Sequence, residues 1–255
     1  MARVPAALRA LLTESIDYAG LYPPAALPLA IVEERFRGFR ASPEAWILNR
    51  LVLPLAKLAE AKIDAGWRVT LLADTDPGPL PRQVETIESK AAGAFALPTY
   101  FELPLDQVQD GFAKVRTGGL TPEAIPTAEE LAAFLCAAVK RRVPFKATAG
   151  LHHPIRAVRP LTYALDSPQA PMHGFLNVFA AAALAWHGMD EAHVAQLLEE
   201  RDPAAFHFSD DDLLWNAHRV TTEQIAEARR DFAHSFGSCS FEEPVTELRR
   251  LGLLP

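Results

Sequence analysis

Short apolar runs alternate with helix-like segments along the whole chain, and this alternation constrains the fold more than any single motif does. Runs at residues 15–19, 47–53, 68–73, 94–101, 112–117, 145–151, 205–208 and 234–239 have the length and composition of buried strands. Between them, stretches at 27–39, 55–65, 82–92, 128–142, 174–186 and 222–232 read as helices. Strands separated by helices pair in parallel through right-handed crossovers. Eight such units predict a single α/β domain over residues 1–255, a (β/α)8 TIM-type barrel. The alternative is an open doubly wound parallel sheet, whose first strand-to-helix turn is ordinarily glycine-rich. Here that turn is Gly20-Leu-Tyr-Pro-Pro24, which carries no dinucleotide fingerprint. Capping boxes at Thr127 with Glu130, Thr221 with Gln224 and Ser240 with Glu243 agree with the strand-then-helix order. The stretch 154–171 has no periodicity and predicts a long rim loop over the mouth of the barrel.

Composition narrows the partners. A net charge of −7 argues against nucleic acid or an anionic membrane surface. Two cysteines, Cys136 and Cys239, make no disulfide framework and suit a reducing compartment. The N-terminal Met-Ala-Arg-Val-Pro has no secretory apolar core, and the most apolar stretch, 175–186, is too short to span a bilayer. The expectation is a cytoplasmic protein without a membrane partner, with a homo-oligomer left open.

Chemistry concentrates in two of the strand candidates, Gly111-Phe-Ala-Lys-Val-Arg-Thr-Gly-Gly119 and Pro144-Phe-Lys-Ala-Thr-Ala-Gly-Leu-His-His153. Strand side chains alternate between faces. Lys114, Arg116 and Gly118 therefore share one face of the first, and Lys146, Thr148, Gly150 and His152 one face of the second. Unpaired charge is costly inside a sheet, so two such faces imply a polar cavity or an anionic partner. On neighbouring strands, two ammonium groups would lower each other's pKa, one route to the neutral amine that attacks a carbonyl.

These two segments resemble the lysine strands of deoxyribose-phosphate aldolases and related class I aldolases, which read like Ile-Lys-Thr-Ser-Thr-Gly and Val-Lys-Ala-Ser-Gly-Gly. The resemblance covers Lys114-Val-Arg-Thr-Gly118 and Lys146-Ala-Thr-Ala-Gly150 alone. It implies a barrel, Lys114 as the Schiff-base lysine and Lys146 as the perturbing cation. That family carries its lysines on strands six and seven, whereas the strand count above puts these on five and six. Arg116 stands where the family has a small polar residue. The chain also resembles a group of bacterial proteins of no known activity that share Arg-Thr-Gly-Gly, Ala-Gly-Leu-His-His-Pro and Phe-Gly-Ser-Cys-Ser-Phe-Glu-Glu-Pro segments.

Further candidates surround the lysines. Asp74 and Glu102 end strand candidates, where barrel carboxylates transfer protons, although an Asx turn suits Asp74 equally and Glu102, on the strand before Lys114, is placed to pair with Lys114 or Arg116. Asp17 is a third acidic candidate of uncertain face. His152 can act as acid or base near neutral pH. Arg116, Thr117, Gly118, Gly119 and Thr148 are candidate substrate contacts, as are His173 and Asn177, one turn apart on a helix, and Ser238 at the end of the last strand. Asn49 and Arg50 point to opposite faces, and their order is open. The leading expectation is an enzyme of lyase or aldolase type acting on a small anionic carbonyl metabolite, a sugar phosphate or ketoacid, through Lys114, Lys146, His152, Glu102 and Asp74, with no cofactor and no metal. The alternatives are an isomerase or lyase, metal-free or using a metal held by Glu102, His152 and His173, and a non-catalytic anion-binding or scaffold barrel.

Overall fold

A computed structural model describes residues 3–108 and 110–255; Met1 and Ala2 of the N-terminal segment lie outside the described residues. Eight parallel strands close into a barrel: β1 (Ile16–Tyr18), β2 (Leu48–Pro54), β3 (Val69–Leu72), β4 (Val84–Ser89), β5 (Thr99–Glu102), β6 (Phe112–Arg116), β7 (Phe145–Thr148) and β8 (Ala233–Ser238). Each strand pairs with its sequence neighbour among these eight, and β8 closes the ring against β1. This is an α/β barrel of the (β/α)8 TIM type, with its helices unevenly distributed.

Helices back one half of the ring. They are α1 (Ala6–Leu12), α2 (Leu29–Arg40), α3 (Ala128–Arg141), α4 (Phe175–Trp186), α5 (Glu191–Glu199), α6 (Thr222–Asp231) and α7 (Glu242–Arg250). Helices α3 and α6 open on complete capping boxes at Thr127–Glu130 and Thr221–Gln224, and α3 sets the start of β7. Ser240 Oγ accepts from the Glu243 N–H at 3.1 Å, the backbone half of the third expected box. Helix α4 is buried on nearly every side, which is why its sequence is apolar throughout.

From β2 to β6, the described residues of four successive crossovers contain no α-helix. The expected helix at 55–65 is a single 3-10 turn, Leu55–Lys57, followed by turns. The expected helix at 82–92 is β4. Valine, threonine and isoleucine at 84, 86 and 87 suit a pleated surface, and that preference wins over the helical spacing of the charges. The outward Val69, Leu71 and Ile87 are nonetheless fully buried, because loop residues such as Leu58, Leu80, Phe95 and Leu105 pack over them in place of helices.

The expected seventh strand at 205–208 lies outside the barrel. Phe206–Phe208 pairs antiparallel with Asp212–Trp215, which pairs in turn with His218–Thr221. Residues 84–89 take the barrel place expected for 205–208, so the count of eight is unchanged while Lys114 and Lys146 lie on strands six and seven. The rim stretch 154–171 is no structureless loop: Ala157–Pro160 and Gln169–Met172 form a hairpin. Its Leu161 and Met172 line the barrel's cavity.

Candidate active site

The C-terminal ends of all eight strands converge on a cavity of about 320 Å³. Glu88, Glu102, Lys114, Arg116, Thr148, Gly237 and Cys239 line it from strands β4 to β8 and their following turns, with Val52 and Leu72 opposite. Register makes the inner layer explicit, since Glu102, Lys114 and Lys146 are paired neighbours on β5, β6 and β7.

Both strand lysines, Lys114 and Lys146, have carboxylate partners. Lys146 Nζ lies 2.5 Å from Asp17 Oδ2 and also contacts Glu88 Oε1. Glu88 Oε2 is 2.7 Å from Lys114 Nζ, which is 2.9 Å from Glu102 Oε2. Glu102 Oε1 accepts from Arg116 Nη2 at 2.7 Å. Asp17 is held in turn by Ser235 Oγ at 2.8 Å and the Asn49 amide at 2.7 Å. The result is a chain of alternating charge, Asp17, Lys146, Glu88, Lys114, Glu102 and Arg116, drawn from five strands and neutral in sum. A register slip between β1 and β2 lets both Asn49 and the Arg50 N–H reach Asp17, while the Arg50 guanidinium pairs with Glu85. Asn49 and Arg50 thus both serve the interior, through side chain and backbone respectively.

The expectation of a mainly cationic floor with mutually repelling ammonium groups gives way to this geometry. Burial works against charge on Lys146, yet Asp17 and Glu88 outweigh it and raise its pKa. Burial likewise opposes ionisation of Glu88, and the two lysines overcome it, holding its carboxyl down at about 2. Desolvation raises Glu102 and its partners Lys114 and Arg116 lower it, with a net decrease. The lysines differ in access. Lys114 lines the cavity; Lys146 is sealed beneath it at 1% exposure, its ammonium 5.7 Å from the centre of the Tyr100 ring. Below, the Tyr100 hydroxyl donates to His234 Nδ1 at 2.6 Å and closes the barrel floor.

His152 lines the cavity near its rim. Its Nδ1 is 3.3 Å from Ser238 Oγ, 3.4 Å from Glu243 Oε2 and 4.0 Å from Cys239 Sγ. Burial disfavours the imidazolium, but Cys239 and Glu243 prevail and raise its pKa to about 9. Tyr163, from the rim hairpin, donates to Glu243 Oε2 at 3.2 Å and ties the hairpin to this cluster.

Other candidates take structural roles. Asp74 Oδ1 accepts from the Lys90 N–H at 2.8 Å and braces the β4 turn. Thr117 is buried, its hydroxyl donating to the Ala149 carbonyl at 2.5 Å. Gly118 passes so close to β7 that a Cβ there would sit 2.9 Å from Gly150 Cα, while Gly119 and Thr148 line the cavity. His173 is buried away from the cavity, accepting from Arg156 Nη1 at 3.1 Å and donating to the Pro126 carbonyl at 2.8 Å. Both its nitrogens are used, so Glu102, His152 and His173 do not assemble as a ligand set. Among the described residues, no group of three or more histidine, cysteine or acidic side chains is placed to hold a metal. Asn177 accepts from the Arg156 N–H and donates to the Leu197 and Glu200 carbonyls, fastening α4 to its neighbours.

Sequence reasoning left Asp17 undecided and passed over Glu88, Lys90, Tyr163 and the role of Glu243. The β-branched Val84, Thr86 and Ile87 were the signal available for the strand that carries Glu88. These features define an α/β barrel with an ionised site at the C-terminal end of its strands. Comparison with protein-family models, curated proteins and solved structures finds no match. No described helix is long and apolar enough to cross a membrane.

Proposed function

We propose that the barrel is an enzyme that forms a Schiff base between Lys114 and a small carbonyl compound, and works as a lyase of aldolase type. One observation carries this reading: of two inward lysines sharing one carboxylate, Lys114 alone lines the cavity. The strand positions of the pair, six and seven, also agree with those of the aldolases that the two segments resemble.

Lys114 must lose a proton before it attacks. Glu102 supports that step better than Glu88. Glu88 is spread over two ammonium groups, whereas Glu102 Oε2 is buried, close to Lys114, and makes no directed hydrogen bond. In the proposed course, Nζ adds to the carbonyl carbon and the carbonyl oxygen takes up the proton relayed through Glu102. A second proton passes from Nζ through Glu102 to that oxygen and water leaves. The resulting iminium accepts the electron pair of a neighbouring C–C or C–H bond as that bond breaks, and Glu102 takes the proton of that C–H or of the hydroxyl on the departing carbonyl fragment. Lys146 stays charged between Asp17 and Glu88 and keeps Glu88 ionised beside the iminium. Lys90, a cavity residue that forms no ion pair among the described residues, and the imidazolium of His152 supply positive charge for an anionic end of the substrate.

A second reading is metal-free isomerisation by proton transfer between Glu102, His152 and substrate. It is favoured by the two carboxylates that stabilise the Lys114 ammonium. Borohydride reduction in the presence of a panel of aldehydes and ketoacids, read by intact mass and peptide mapping, separates the two. The Schiff-base reading expects a reduced adduct on Lys114 that Lys114→Met abolishes. Turnover of a carbonyl substrate without any trapped adduct would leave the isomerase reading in its place.

A further inference from the structure

The cavity is not equally polar around its circumference. In the order β1, β8, β7, β6, β5, β4, β3, β2, the strand diametrically opposite β6 is β2. The charged groups that line the cavity, Glu88, Lys90, Glu102, Lys114, Arg116 and His152, approach from β4 to β7 and the turns that follow them. The facing wall presents Val52 from β2, Leu72 from β3, and Tyr22 and Pro23 from the turn after β1. Leu72 pairs in register with Glu88, so this wall stands level with the carboxylate that holds Lys114. It carries one unspent polar group: the Tyr22 hydroxyl is buried and has no hydrogen-bond partner.

We propose that the carbonyl taken by Lys114 bears an apolar substituent, a branched alkyl or aromatic group, seated against Val52 and Leu72. This names the substrate class of the Schiff-base reading and rests on it. A polyhydroxylated chain placed there would lose its hydration to a wall with one hydroxyl to offer in return, and unpaired buried polar groups are penalised strongly. An apolar group loses nothing and excludes water from the side of the cavity where the iminium forms. The polar end of the substrate points the other way, to the rim at Lys90 and His152.

The test compares probes that share an aldehyde and differ in the substituent. Isovaleraldehyde and glyceraldehyde are trapped separately with borohydride on the intact protein and on Val52→Thr/Leu72→Asn, a pair of near-isosteric changes that adds polarity without volume. The yield at Lys114 is read by peptide mapping, with thermal melting as the folding control. Isovaleraldehyde is expected to trap about tenfold or more in excess of glyceraldehyde, and the double variant is expected to reduce that ratio by about tenfold. Equal trapping, a preference for glyceraldehyde, or a ratio unchanged in the folded variant overturns the proposal. Saturation-transfer NMR with isovaleramide and glyceramide, which cannot form a Schiff base, reads the wall independently. Selective isovaleramide binding that the variant loses, with no adduct from either aldehyde, removes the Schiff-base reading and keeps the apolar wall. No selectivity in either assay removes the wall assignment.

Discussion

Two layers of the barrel interior are built from the same materials and behave differently. In the lower layer, Lys146 lies between Asp17 and Glu88, closed over by Tyr100 below and the cavity floor above. In the upper layer, Lys114 lies between Glu88 and Glu102, with the cavity on its free side. Each lysine has two carboxylates, and Glu88 is common to both. What separates them is who else can serve those carboxylates and whether another molecule can arrive. A charge that nothing can reach is a structural element whose removal strands its partners. A charge with backup partners and an open side is free to take part in chemistry.

The largest effect should come from breaking the lower layer. Lys146→Met leaves Asp17 and Glu88 buried with one cation fewer between them, and should cost about 3–5 kcal/mol in chemical denaturation. Lys114→Met should cost less, about 1–2 kcal/mol, because Glu88 keeps Lys146 and Glu102 keeps Arg116. Equal losses for the two variants would erase the distinction between the layers.

The pH dependence sharpens the comparison. Glu88 is held at about 2 in the folded chain, below its unfolded value, so its contribution is present above about pH 4.5 and is lost as pH falls towards 2. His152 is raised to about 9, so its contribution is complete below about pH 6.5 and is lost as pH rises through 9. Melting temperatures across this range should fall on both sides. His152→Gln should flatten the alkaline limb and leave the acid limb in place; an unchanged alkaline limb would detach the rim cluster from stability. The smallest effect belongs to Arg116→Gln. Its guanidinium is 43% exposed, and its pair with Glu102 should be worth no more than about 1 kcal/mol in the same denaturation experiment.

The faces of Lys114, Arg116 and Lys146 were legible in the sequence because strand alternation is local and short-ranged, whereas His152 reaches the cavity from the turn beyond β7, which ends at Thr148. So was the expectation that Glu102 would pair with Lys114 or Arg116, since β5 and β6 are adjacent. The partners of Lys146 were not legible. Asp17 comes from β1 and Glu88 from β4, and nothing local ties either to β7. Glu88 was further hidden because Glu85 and Glu88 stand three residues apart, as on a helix face, while the stretch 84–89 is a strand covered by loops. His173 precedes α4, which begins at Phe175, so the expected helix face shared with Asn177 does not form, and Asn177 lies on a helix packed among α3, α5 and α6. Their polar atoms consequently hold neighbouring loops and never reach the cavity. The histidine pair shows the same limit: His152 turns to the rim, and His153 bonds Glu247 at 2.8 Å on another face.

The central claim is that Lys114 is open to a carbonyl and Lys146 is not. Reductive methylation of the folded protein with formaldehyde and a mild borohydride, followed over time by peptide mapping, tests it without knowledge of the substrate. The account predicts modification of Lys114 while Lys146 stays unmodified until the chain is unfolded. Modification of Lys146 at the rate of Lys114, or a Lys114 as inert as Lys146 in the folded protein, would contradict it.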